Sequence, residues 1–231
     1  MTASSNTNRV PVATIAVGLV TAAVSMVGLT HPDVLQSLRR HPTPGAHWPS
    51  WRLVTSLLVH DGWLQLAFNL LGFAIVGASV ERLLGSTRWI VLYLIGGIVG
   101  ELAGMWWQPV GAGNSVATFG LVGAITLLDR DSAGVTLAVL YAVEWVLVYA
   151  GLELGAIRGA VIVGVLCALL GPLVSRARKS APRALGVTLV AATIGVALVL
   201  CAMRDIHGPP LVTGAIIASL FSFRASAAAR D

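Results

Sequence analysis

Charge is what this chain has least of. Only 11% of its 231 residues are Asp, Glu, Lys or Arg, against about 25% in soluble domains, and the mean hydropathy is +0.84. An ordinary water-soluble domain is excluded and a membrane protein is implied. Cysteine is nearly absent. Cys167 and Cys201 both lie in apolar runs, so no disulfide framework is expected. Strand-like alternation is also missing. The runs are continuously apolar, which excludes a closed strand barrel and leaves helices as the structure that satisfies its own backbone in lipid. No internal repeat with matching breaks in two halves is visible, which argues against a transporter of that design. No cleavable signal stands out either: residues 10–29 are long enough to span and read as a signal anchor. The net charge of +5 is spread over loops, so no nucleic-acid partner is expected.

What the chain has instead is eight apolar segments, at 10–29, 60–80, 88–107, 115–128, 134–151, 155–174, 184–203 and 207–223. They predict an all-α, polytopic helical bundle of about eight transmembrane helices: a tail at 1–9 and one membrane domain at 10–225. With the N-terminus inside, ten Lys and Arg residues face the cytoplasm, including the cluster Arg176, Arg178, Lys179 and Arg183. Five face outward: Arg39, Arg40, Arg52, Arg158 and Arg204. This asymmetry places both termini in the cytoplasm, and the expected location is the plasma membrane of a bacterium. The lipid bilayer is thus one partner.

The two short segments decide where chemistry could occur. Residues 115–128 rise about 21 Å and residues 207–223 about 25 Å at 1.5 Å per residue, against a hydrocarbon core of about 30 Å. Both run from outside to inside, so their outer ends begin beneath the outer surface, and those ends carry Ser115 and His207. The glycine-rich loop PVGAGN feeds Ser115. Irregular backbone at that depth must be buried in protein or line a wet cavity. A serine becomes a nucleophile when a neighbouring base takes its proton, and His207 is a base at matching depth. Gln65 and Asn69, four apart on the second segment, lie about 40° apart around a helix and share a face. Each carries an amide donor suited to an oxyanion, or to a bond with a neighbouring helix. On the same helical wheel His60 lies on the opposite side from Asn69 and is not expected in their pocket.

Other polar residues read as structural. His31, His41 and His47 sit in a proline-containing outer loop with no trusted metal-ligand spacing, so no metal and no cofactor are expected. Trp48 and Trp51 suit an interface. Gly96, Gly100 and Gly104 form a small-residue stripe that lets helices approach closely. Glu101 and Glu144, within apolar segments, are expected to pair with an arginine such as Arg158 or to stay neutral.

The stretch from Trp51 to Gly123 resembles the rhomboid family of intramembrane serine proteases. Trp51-Arg52 matches the family's Trp-Arg pair in the first outer loop. Its His-x4-His-x3-Asn pattern here reads His60, Gln65, Asn69. Its Glu-Arg-x-x-Gly-Ser turn is matched by Glu81, Arg82, Gly85 and Ser86. Its Gly-x-Ser-Gly motif appears as Gly113, Asn114, Ser115, Val116, and its histidine seven residues before a packing glycine appears as His207 and Gly214. The resemblance implies that Ser115 attacks a substrate's transmembrane segment and that His207 is general base, then acid. Asn69, Gln65 and the Ser115 N–H would hold the oxyanion. The family's dyad has no carboxylate partner, and none is assigned from Asp205.

Four departures accompany the resemblance. Gln65 replaces a histidine, and Val116 replaces a glycine, where its branched side chain would crowd the turn. Pro209-Pro210 puts His207 at the very start of its helix. Three spans, not one, separate the serine and histidine helices. The departures at Gln65, Val116 and the prolines motivate an alternative: a non-catalytic rhomboid-like protein that binds membrane-protein helices as clients.

Overall fold

The structure, a computed structural model, describes residues 9–42, 50–128 and 179–227, with 138–139, 141–143, 172–174 and 176–177 between the last two. The expected spans at 134–151 and 155–174 fall mostly outside those residues, and His47, Trp48, Glu144, Arg158, Arg178 and Cys167 fall outside them.

The described residues are helical, with one isolated bridge pairing Arg40 and Gly111. Helix α1 is Val12–Thr30, followed by the short helices α2 (Pro32–Leu38) and α3 (Arg52–Thr55) and a single 3₁₀ turn at Ser56–Leu58. Then come α4 (Trp63–Leu84), α5 (Ser86–Trp107), α6 (Ser115–Leu128), α7 (Pro182–Ala202) and α8 (Gly208–Ala227). Four of these, α1, α4, α5 and α7, are long and apolar enough to cross a membrane. The chain is an integral membrane protein built as a helical bundle. Its long helices turn residues such as Leu19, Leu64 and Leu198 outward, 67%, 79% and 66% exposed, as lipid-facing side chains should be.

Helix ends follow local chemistry rather than the limits of the apolar runs. Helix α4 starts at Trp63, because Gly62 before it is extended, and runs on through Glu81 and Arg82 to Gly85. Gly85, at φ +80°, breaks the helix and lets α5 begin at Ser86, a left-handed position that suits glycine. Pro182 opens α7, and Pro209 and Pro210 sit in the first turn of α8, where helix N–H groups have no partner to lose.

The Glu-Arg-x-x-Gly-Ser turn works as a clamp on α1. The carboxylate of Glu81, 3% exposed, accepts from the Ala13 N–H (2.8 Å), the Thr14 N–H (2.7 Å), Thr14 Oγ1 (2.8 Å) and Ser86 Oγ (2.7 Å). It therefore caps the first turn of another helix, where unpaired donors favour an anion. Arg82 donates from Nε to the Arg9 carbonyl at 3.3 Å. Glu81→Ala strands those donors and is expected to cost about 2–3 kcal/mol, seen as a lower thermal midpoint in detergent.

Helix α6 is the centre of the bundle, packed against α8, α5 and α4. Every residue from Ser115 to Thr126 is buried. Glycines allow this. A Cβ on Gly96 would stand 3.0 Å from Gly120 Cα, while one on Gly214 would land on the Gly120 carbonyl and one on Gly123 on the Leu211 carbonyl. The backbones of α5, α6 and α8 thus touch, which is how a small-residue stripe packs helices. Val116 does not crowd its turn as expected. It is 1% exposed and fills the notch at Gly100, where a Cβ would meet Val116 Cβ at 2.6 Å and Pro210 Cγ at 2.9 Å.

Candidate active site

Ser115 is the first residue of α6 and His207 immediately precedes α8. The close contact between the two helices sets these ends side by side. His207 Nε2 lies 2.8 Å from Ser115 Oγ, and both residues are buried, at 2% and 5% exposure. The ring of Phe119, one turn along α6, packs against the imidazole with centroids 4.7 Å apart. Gly214 contributes by letting α8 lie on Gly120.

The absence of a carboxylate partner, expected for His207, is corrected. Asp205 Oδ1 is 2.6 Å from His207 Nδ1 and accepts the His207 backbone N–H at 2.9 Å. Gln108 Nε2, just past α5, donates to Asp205 Oδ2 at 3.1 Å. Asp205 stands in the connection between α7 and α8. Burial pushes its carboxyl up, but the hydrogen bonds and charge of His207 and the Gln108 amide outweigh burial and hold it lowered, at about 2. An ionised carboxylate only accepts, so Nδ1–H is the donor of this bond and Nε2 is the atom turned to Ser115. The signal in the sequence is the Asp-x-His spacing ahead of the prolines; a dyad template passes over it.

The loop before Ser115 is tied down at each step. Gly111 exchanges both backbone hydrogen bonds with Arg40, at 2.9 and 3.0 Å. Gln65 Nε2 donates to the Ala112 carbonyl at 3.1 Å, and the Gly113 N–H donates to the Ser56 carbonyl at 2.9 Å. Irregular backbone buried in a membrane protein requires such satisfaction. Gly113 has φ +132°, and the space beside it is shared: a Cβ there would stand 3.1 Å from Asn69 Nδ2, 3.5 Å from Gln65 Nε2 and 3.5 Å from His60 Cδ2.

His60 therefore does share the pocket of Asn69 and Gln65, contrary to the helical-wheel expectation. It lies before α4 begins, in a segment to which helical angles do not apply, and Ser25 of α1 holds its Nδ1 at 2.9 Å. Asn69 is fully buried, and neither atom of its carboxamide has a hydrogen-bond partner among the described residues. Gln65 is already engaged: besides donating to Ala112, its Oε1 accepts the Asp61 N–H at 2.8 Å. One of its two amide protons is left over.

Glu101 is paired with an arginine, from the segment between α2 and α3. Its partner is Arg40, in an ion pair with both side chains almost fully buried, at 2% and 1% exposure; Arg158 lies outside the described residues. Arg40 also donates from Nε to the Gln108 carbonyl at 3.0 Å and lies where Gly104 and Gly111 have no side chains. Arg52 packs its guanidinium over Trp51, 5.1 Å from the ring centroid, and donates to the carbonyls of Ser37 and His41. The His41 ring is occupied with the Gln36 carbonyl at 2.9 Å.

Comparison with known proteins shows the family. The family model described as Rhomboid domain matches residues 47–163, about half of the chain. The chain belongs to the rhomboid family. Its similarity to the rhomboid protease GluP of Bacillus subtilis is 45% identity over 76 residues, 32% of this chain and 15% of that protein. With a Cronobacter sakazakii homologue of rhomboid protease GlpG it is 32% over 110 residues, covering 46% and 38%. With rhomboid protease AarA of Providencia stuartii it is 34% over 65 residues, covering 28% and 23%. The matches span less than half the length of each of these relatives. The rhomboid match contains Asn69 and Ser115 and stops before His207.

Proposed function

We propose that this rhomboid is an intramembrane serine endopeptidase that cleaves transmembrane segments of other proteins. The observation that carries the reading is the 2.8 Å approach of His207 Nε2 to Ser115 Oγ within a helical membrane domain. Ser115 attacks the scissile carbonyl as its proton passes to His207 Nε2. The C–N bond then breaks as His207 returns that proton to the leaving amine. Water, deprotonated by the same nitrogen, releases the acyl group and restores Ser115. No cofactor enters these steps.

The oxyanion needs donors aimed at the carbonyl oxygen. The N–H of Ser115 at the start of α6 is one, since first-turn N–H groups have no partner inside a helix. The buried, unpartnered Asn69 amide is the second, and the spare Gln65 proton the third. Asn69→Ala is expected to lower kcat about 10²–10³-fold with KM changed much less, as steady-state cleavage would report. We infer a bacterial plasma membrane with both termini cytoplasmic, an orientation that the charge asymmetry supports, and with the serine opening toward the outer face.

The test is cleavage of a transmembrane substrate with a helix-destabilising segment by the purified protein, and labelling of Ser115 by a fluorophosphonate. Both are expected in the wild type and neither in Ser115→Ala. Capture of the substrate without turnover or labelling would make the chain a non-catalytic binder of membrane helices.

A further inference from the structure

We propose that Asp205 is a positioning residue that converts the serine–histidine pair of this rhomboid into a Ser115–His207–Asp205 triad, with Gln108 holding the carboxylate in place. The inference rests on the protease reading above and adds a third member that the dyad implied by family resemblance lacks. Four observations carry it. Asp205 Oδ1 lies 2.6 Å from His207 Nδ1, on the side of the ring opposite Ser115. The same oxygen takes the His207 backbone N–H at 2.9 Å, which fixes the carboxylate relative to the ring's own residue. Its other oxygen is held by Gln108 Nε2 at 3.1 Å. Asp205 is 2% exposed, so solvent does not compete for it.

The chemistry follows from the order of contacts. As Ser115 Oγ bonds the carbonyl carbon, its proton moves to Nε2 and the ring becomes a cation. Asp205 keeps the Nδ1 proton on the ring and faces the new positive charge without taking a proton itself. When Nε2 gives its proton to the leaving amine, the ring returns to its starting tautomer. Without the carboxylate the proton could settle on Nε2, where it would leave no base toward Ser115. Among the described residues, Ser115 and Phe119 of α6 stand on the ring's other sides. Glu101 of α5 acts on His207 electrostatically and is itself joined to Arg40. Cys201 at the end of α7 lies close enough to feel Asp205.

Gln108 gives an independent handle, because it touches the carboxylate and not the ring. It is fixed from behind: its carbonyl accepts from Arg40 Nε. The outer segment and the histidine are therefore linked through Arg40, Gln108 and Asp205 in sequence.

The experiment compares wild type, Ser115→Ala, Asp205→Asn, Asp205→Glu and Gln108→Leu as purified full chains. Readouts are kcat and KM on a transmembrane substrate, the pH dependence of kcat, the pH dependence of fluorophosphonate labelling, and the thermal midpoint. Asp205→Asn is expected to lower kcat about 10²–10⁴-fold with KM within about threefold. Its rise in rate should move to lower pH, because the imidazolium has lost its counter-charge. Asp205→Glu should recover part of kcat and the wild-type profile. Gln108→Leu should shift the profile and lower kcat by less than Asp205→Asn does, because the carboxylate loses the amide that fixes it. A change confined to the thermal midpoint, with kcat and both profiles as in wild type, would overturn the proposal. If Asp205→Asn does not fold, the Gln108→Leu profiles decide alone: shifted they support it, unshifted they overturn it. A wild type lacking Ser115-dependent cleavage removes the protease reading and this inference with it, whereas an active wild type matched by Asp205→Asn removes only the triad.

Discussion

Replacing Ser115 and His207 by alanine in the same chain is expected to cost no more activity than replacing either one. The two side chains meet across 2.8 Å. The serine is a weak nucleophile without the base, and the base has nothing to deprotonate without the serine. Each single variant should therefore lose kcat by about 10⁴-fold or more, and the double variant should match the weaker single within about threefold. His207→Ala should also stop fluorophosphonate labelling, although Ser115 remains present. Cleavage of a transmembrane substrate by the four purified proteins measures all of this. A double variant whose loss equals the product of the two single losses would mean that the residues act separately, and the mechanism would fail. Ser115→Ala removes only a hydroxyl, so its thermal midpoint should stay near that of wild type, whereas His207→Ala removes a buried ring that packs on Phe119 and bonds Asp205, and its midpoint should fall.

Breaking the Arg40–Glu101 pair is expected to have the largest effect on stability. Both groups are almost fully buried, and removal of one partner leaves an uncompensated charge, which costs about 3–5 kcal/mol. Arg40→Met and Glu101→Leu should each lower the thermal midpoint in detergent sharply. The double variant Arg40→Met/Glu101→Leu should recover most of the loss, because two apolar side chains of similar size carry no buried charge. If the double variant fell by the sum of both singles, the pair would not be coupled in the way its geometry requires. Arg40 also holds the Gln108 carbonyl, so the singles should lose activity as well as stability, whereas Glu81→Ala, at the far end of α4, should lose mainly stability.

How far the sequence goes depends on which physical signal each residue leaves. Continuous apolarity and low charge specify a helical membrane bundle directly. The shortness of the segments at 115–128 and 207–223 puts Ser115 and His207 at helix starts, and these are the starts that lie together. The shared face of Gln65 and Asn69 is likewise periodic and readable. What fails is whatever depends on non-helical backbone or on distant pairing. His60 lies ahead of the helix that begins at Trp63, so a helical angle carries no information about it. Val116 appears to crowd a turn only when the turn is considered alone, since the space it fills belongs to Gly100 on another helix. Arg40 reads as one more solvated outer-loop cation, and nothing local pairs it with Glu101, 61 positions away. Asp205 stands two residues from His207, yet the Asp-x-His spacing says nothing of where the carboxylate turns.

The complete burial of α6 from Ser115 to Thr126 separates the altitude of the nucleophile from the annulus of lipid. Helices that touch acyl chains answer to bilayer thickness by tilting. From Ser115 to Thr126 this helix touches only protein, and its height is set by the glycine contacts with α5 and α8. The hydroxyl therefore keeps its level relative to the imidazole when the surrounding membrane thins or thickens, because both ride on the same interlocked core.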